Sequence, residues 1–289
     1  MIAAILAAVS IVFPPEGAKL PALNRCYVMG AADAGEELGI PVTRTGAWAT
    51  VIDVKPGTNV VEVGGVKRAF VVDAGGTSKT NGTSRTYKKL EYAGDVAKPH
   101  PREKKPEEIT VVLDAGHGGH DAGALSPHAL PEKDANLRLA KQVRDELMRR
   151  GYRVVMTRED DVFVELYDRP KVAHKANADL FVSIHHNAPG YASDPFAIRS
   201  QSVYAWNPLG EKLAKAINAR MAAADPALKN DGVLHANFAV TRNPEIPSVL
   251  IEADYVTHPD GELAAWDASR RPRIAAAIAD GIADWVAGK

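Results

Sequence analysis

The chain has 289 residues, enough for one large domain or one large and one small. Hydrophobic residues make up 46% and charged residues 25%, and the formal net charge of −1 gives no reason to expect a nucleic acid partner. The single cysteine, Cys26, excludes an internal disulfide and leaves the redox compartment unidentified.

The first thirteen residues, MIAAILAAVSIVF, are almost entirely apolar. The run is shorter than the roughly 20 residues of a membrane span but matches the apolar core of a signal peptide. No Lys or Arg precedes it and no clean A-x-A site follows, so the competing reading makes part of it a first β-strand. Export is the expectation, by this segment or from an upstream start, which places the protein outside the cytoplasm in the periplasm or cell envelope.

Residues 13–73 read as a small β unit. Ala47 to Val54 is rich in strand formers, Lys55-Pro56-Gly57-Thr58-Asn59 makes a turn, and Val60 to Val63 resumes the strand before Gly64-Gly65. Short strands punctuated by Gly and Pro suggest a sandwich. The stretch Arg44 to Val63 resembles the Ig-like modules of bacterial surface proteins. It carries no catalytic constellation, so a spacer or packing role is favoured over glycan binding. Residues 74–108 include AGGTSKTNGTSRT and AKPHPREKKPEE, which are too polar to bury a core and read as a linker, with a short ordered piece around Tyr87 to Tyr92.

From Ile109 to Lys289 strands and helices alternate. Ile109 to Asp114 is a buried-strand run followed by a glycine-rich loop. A helix from Lys133 to Arg150 puts Leu137, Ala140, Val143 and Leu147 on one face, with Gly151 as its stop. Strands are expected at Tyr152 to Thr157, Ala178 to His185, Ser202 to Trp206 and Pro247 to Ile251. Helices are expected near Asp168, with Pro170 in the first turn, at Gly210 to Ala224, and along Ile274, Ile278, Ile282 and Trp285. This alternation predicts an α/β domain with helices on both faces of a sheet.

His117, Glu132, His185 and Glu252 sit where strands end or loops begin, and ligand sites in α/β sheets collect beyond the carboxyl ends of strands. Three His or carboxylate ligands with one open position suit a catalytic zinc, and a further carboxylate can carry protons. No H-E-x-x-H helix is present, so spacing by itself is a weak signal.

The local motifs say more. V-V-L-D-A-G-H-G-G-H-D-A-G-A (Val111 to Ala124), Glu132-Lys133-Asp134, F-V-S-I-H-H-N-A (Phe181 to Ala188) and I-P-S-V-L-I-E (Ile246 to Glu252) come in that order. Together they resemble the zinc N-acetylmuramoyl-L-alanine amidases, bacterial cell-wall hydrolases of amidase type 3, over essentially all of Ile109 to Lys289. The resemblance implies a sheet of about six strands, Zn2+ held by His117, Glu132 and His185, and Glu252 as the catalytic carboxylate. It implies peptidoglycan as the substrate, cut between N-acetylmuramic acid and the L-alanine of the stem peptide. A zinc peptidase acting within the stem peptide and a catalytically silent wall-binding protein are the alternatives.

Two departures stand out. The usual S-I-H-A-N reads Ser183-Ile184-His185-His186-Asn187, and after Glu252 the chain reads Ala253-Asp254-Tyr255 where the family has an apolar residue, Gly and Phe. Motif alignment favours His185 as the ligand, with His186 as a rim residue or substrate contact. Asn187 is a second candidate for orienting substrate. Asp254 is expected to alter the local field. Arg169 and Asn177 are read as braces under the site, and His120, His128, His174, His235 and His258 as surface or capping residues. Some relatives carry an inserted helix that blocks the site until a partner removes it. Here Ala188 to Gln201 holds Pro189, Gly190 and Pro195 and lacks the apolar periodicity of such a helix, so an open site needing no activator is expected.

Overall fold

The structure, a computed structural model, describes residues 9–33, 36–75, 101, 104–243 and 245–288. Most of the expected linker, with Tyr87 to Tyr92, lies outside the described residues, as do residues 1–8.

Six strands come first: β1 (Val9–Phe13), β2 (Lys19–Leu20), β3 (Arg25–Ala32), β4 (Ala47–Asp53), β5 (Gly57–Val63) and β6 (Val66–Val72). They form two three-stranded sheets, ordered β1-β3-β4 and β2-β6-β5. β1 takes the end of the apolar N-terminal run, with Val9 and Ile11 turned inward as the period of two requires. The turn before β5 is closed by Asn59, whose side chain accepts from Lys55 N–H at 3.1 Å and donates to Lys55 O at 2.7 Å. Val28 and Trp48 of one sheet meet Val63 of the other, so the two sheets share a core. Cys26 is buried beside Phe70, and burial pushes its thiol up to about 11, which leaves it unreactive.

The second unit runs β7 (Thr110–Ala115), α1 (Glu132–Arg149), β8 (Arg153–Met156), α2 (Arg169–Lys175), β9 (Leu180–Asn187), β10 (Gln201–Ala205), α3 (Pro208–Ala224), β11 (Asn230–His235), β12 (Ser248–Tyr255), α4 (Pro259–Trp266) and α5 (Arg270–Val286). Its six strands make one sheet in the order β11-β10-β12-β9-β7-β8. Neighbours are parallel except β10 and β12, which are antiparallel. β7, β9 and β12 are covered on both faces, which is why they read as nearly continuous apolar runs.

Leu139, Val143 and Leu147 of α1, Leu213 and Ile217 of α3, and Ile274, Ile278 and Ile282 of α5 pack on one face against Val111, Val182 and Ile251. Each such side chain contributes about 1.5–3 kcal/mol by leaving water. α2 lies on the other face, where Ala173 joins Val112, Phe181 and Leu250. Gly281 lets α5 close on α3, because a Cβ there would fall 2.5 Å from Ile217 Cα. The core holds the carboxyl ends of β7, β9 and β12 side by side, with Ala115 opposite Ile184 and Glu252 opposite His185.

The two units touch. Tyr27 N–H donates to Tyr191 O at 2.7 Å, and Phe13 stacks on Tyr27 and Tyr191 with ring centroids 4.5 and 5.8 Å apart. His128 Nε2 lies 3.0 Å from Thr45 O.

Candidate metal centre

The chain leaves β7 through Gly116 and turns sharply, with His117, Gly118 and Gly119 at φ 61, 133 and 58. For a histidine this left-handed backbone costs on the order of 1–3 kcal/mol, so the loop must be held. Two buried arginines hold it. Arg169 donates to Asp114 Oδ1 at 2.8 Å, Ala115 O at 2.9 Å and His117 O at 3.0 Å. Arg158 donates to Ala115 O at 2.8 Å and, through Nη2, to Gly116 O and Lys133 O at 2.9 Å each. The brace role expected of Arg169 is what the structure shows, and Arg158 is a second brace that the sequence reading missed.

Glu132 is the first residue of α1 and is 4% exposed. Its Oε2 accepts from Ala124 N–H at 3.0 Å, and its Oε1 accepts from Asn136 Nδ2 at 3.0 Å and His186 N–H at 3.2 Å. His117 Nε2 lies 3.2 Å from Glu132 Oε2, and His185 Nδ1 lies 3.0 Å from Glu132 Oε1. The two imidazoles meet edge to face, 4.9 Å between centroids. One donor atom from each of the three residues falls within 4.8 Å of the others. Asp121 Oδ2 sits 2.8 Å from His117 Nδ1, which commits Nε2 to the cluster. Two glycines make room: a Cβ on Gly116 would lie 2.2 Å from His185 Cε1, and one on Gly123 would lie 2.6 Å from Glu132 Oε2.

These contacts set the charges. Burial would raise the Glu132 carboxyl, but hydrogen bonds from His117 and His185 hold it well below the usual range. Burial would lower His117, yet Glu132 and Asp121 together carry it up to about 9. Two imidazoles and a carboxylate in this arrangement are a fitting donor set for a divalent metal, which would replace the protons the histidines otherwise share with Glu132.

Glu252 lies on β12 in register with His185. Its Oε2 is enclosed without a hydrogen-bond partner. Burial, with the charge of Glu132 adding to it, pushes this carboxyl well above the ordinary range. A carboxyl that favours its proton beside a metal-type cluster is equipped to move protons rather than to bind the metal.

Residues 111–284 match the family model for N-acetylmuramoyl-L-alanine amidase. The chain belongs to this amidase family. It is 32% identical over 239 residues to the N-acetylmuramoyl-L-alanine amidase AmiA of Escherichia coli, spanning 67% of this chain and 81% of that one. It is 30% identical over 299 residues to AmiC of Neisseria meningitidis, spanning 82% and 71%. Among solved structures, the catalytic domain of the amidase CwlV from Bacillus (Paenibacillus) polymyxa superposes with a TM-score of 0.58 at 35% identity, over 63% of this chain and 99% of that domain.

In this amidase the structure brings His117, Glu132, His185 and Glu252 together. His186 does not stand at the rim as expected. It is 4% exposed and turned towards α1, because adjacent strand residues face opposite ways and His185 takes the site side. Asn187 is half-buried, and its Oδ1 accepts from Ala188 N–H at 2.8 Å, shaping the chain as it leaves β9. Asp254 is buried and paired with Arg199 at 2.9 Å and Arg270 at 3.3 Å, so its charge is spent on anchoring the 188–200 loop. Asn177 takes a left-handed φ of 50 just past α2, a usual helix terminator. Asp121 and Asn136 were missed. The one sequence signal for Asn136 was its place four residues after Glu132 on one helix face.

Proposed function

We propose that this amidase is a zinc-dependent peptidoglycan hydrolase that cuts the amide between N-acetylmuramic acid and the L-alanine of the stem peptide. The observation that carries the reading is the unpartnered Glu252 Oε2 beside the His117, Glu132 and His185 cluster. His117 through Nε2, His185 through Nδ1 and Glu132 would hold the metal, as two imidazoles and a carboxylate suit zinc. Zinc bound there supplies a Lewis acid for the amide carbonyl and acidifies water.

The rest is the work of the chain. Glu252 Oε2 takes a proton from the attacking water and delivers it to the alanine nitrogen as the C–N bond breaks. In the metal-free chain, burial and then the charge of Glu132 favour the protonated carboxyl, the form that donates to the leaving nitrogen. Arg158 and Arg169 hold the His117 loop, and Asp121 orients its ring. The names of AmiA and AmiC, together with the apolar N-terminal run, support a site of action outside the cytoplasm, in the periplasm or cell envelope. No helix among the described residues is long and apolar enough to cross a membrane. The domain reading is a small Ig-like β unit over 13–73, a linker over 74–108 and the catalytic domain over 109–289. The β unit acts as a spacer docked on the enzyme.

Mass spectrometry of digested peptidoglycan tests the proposal. Free stem peptides beginning with L-alanine should appear, with glycan strands intact, and should vanish when a chelator is present. Fragments cut within the stem would transfer the enzyme to the peptidases, and unchanged peptidoglycan would make it a binding protein.

A further inference from the structure

His185 and His186 stand side by side near the end of β9, yet only His185 reaches the cluster. His186 is buried on the other face, where its Nδ1 lies 2.8 Å from Asn136 Oδ1. Asn136 follows Glu132 by one turn of α1, and its Nδ2 reaches Glu132 Oε1 at 3.0 Å and Gly116 O at 3.3 Å. Those two atoms only accept, so the Asn136 amide must present its NH2 to them and its oxygen to His186. His186 must then carry its proton on Nδ1. With the amide flipped, its carbonyl oxygen would face the Glu132 carboxylate and the Gly116 carbonyl in a buried place, oxygen against oxygen with no proton between them. His186 also donates its backbone N–H to Glu132 Oε1 at 3.2 Å.

We propose that His186 is a positioning residue of the metal centre: through Asn136 it fixes the Glu132 carboxylate in the orientation that meets His117 and His185. The inference rests on the zinc reading above. His186 fills the position that holds a small residue in the S-I-H-A-N motif the chain resembles.

The test uses the full chain and zinc alone, with affinity measured by competition against a chelating dye. His186→Leu keeps bulk without a donor, and His186→Asn keeps an N–H where Nδ1 stood. Loss of outer support at metal sites is worth about 10–100-fold, and the longer relay here should cost His186→Leu about tenfold in zinc affinity, with His186→Asn within about twofold of wild type. KM for soluble muropeptides should stay constant; a rise in KM with unchanged zinc affinity would overturn the relay in favour of substrate contact. In the metal-free wild type, imidazole nitrogen shifts should show His186 as the Nδ1–H tautomer. This check does not depend on how the variants fold, and an Nε2–H tautomer would also overturn the relay. His117→Ala, measured alongside, separates the two levels. If it binds zinc as wild type does, the zinc reading itself fails; if it loses zinc while His186→Leu does not, the relay alone fails.

Discussion

Burying a carboxyl oxygen with no partner costs free energy, and Glu252 Oε2 is such an atom. The cost falls on the ionised form, so in the metal-free protein Glu252 contributes stability that is fully present below the ordinary carboxylate range. That stability is lost as pH rises towards the raised folded value. Glu252→Gln should therefore be the more stable protein at pH 8 and should lose this advantage at pH 5, as read by urea unfolding with chelator present. It should keep zinc while activity falls about 10²–10⁴-fold. Near-wild-type turnover would remove Glu252 from the proton path. Asp121 acts through the His117 ring it touches. Asp121→Ala should leave the fold intact and weaken zinc binding about 10–100-fold by freeing the His117 ring, and unchanged affinity in dye competition would refute that role. His117, Glu132, His185 and Glu252 were legible in the sequence because each stands in its own ordered motif. Arg158 was not, since hydrogen bonds between distant loops leave no local pattern, and Asp121 and Asn136 were not because a spacing of four residues from the group each one serves is too common to single them out. His186 was misplaced because a strand covered on both faces gives no hydropathy cue to which side is the site.

At the scale of elements, the buried strands and long amphipathic helices were the readable part. β7, β9 and β12 are apolar because both faces are covered, and α1 and α5 show a clean stripe because one face is. β11 escaped notice. Its sequence, NDGVLH, pairs only with β10 at the edge of the sheet and has no face deep enough to demand alternation. α4 escaped because its eight residues, PDGELAAW, are too few to establish a period. Its start, in hindsight, is chemical: His258 is the N-cap, with Nδ1 accepting from Asp260 N–H at 3.1 Å. Only the neutral ring can accept there, and burial holds His258 below its ordinary value. The cap therefore contributes fully above the ordinary histidine range and is lost as pH falls through the folded value. Asn at this position caps without titrating. Between pH 7.5 and pH 5 the wild type should lose about 0.5–2 kcal/mol relative to His258→Asn in urea unfolding. Parallel curves for the two proteins would show that the ring is not the cap.

At the scale of the whole molecule, the sequence announced two units but not that they touch, because the contact joins a backbone group of β3 to a loop some 160 residues on. The 188–200 loop carries turns and no helix, and Arg199 ties it to the buried Asp254. The purified, zinc-loaded chain should therefore cleave soluble muropeptides without an added activator, as followed by chromatography of released peptides. Product that forms only after an activator is supplied would show that the mouth is closed by something else. The docking of Tyr27 and Phe13 on Tyr191 has a consequence of its own. Phe13, Tyr27 and Tyr191 form one aromatic stack across the two units, so each unit keeps apolar surface from water only while the other is in place. Loss of the Tyr191 ring would therefore uncover Phe13 and Tyr27 of the small unit, so that a change in the loop after β9 is felt in the other unit.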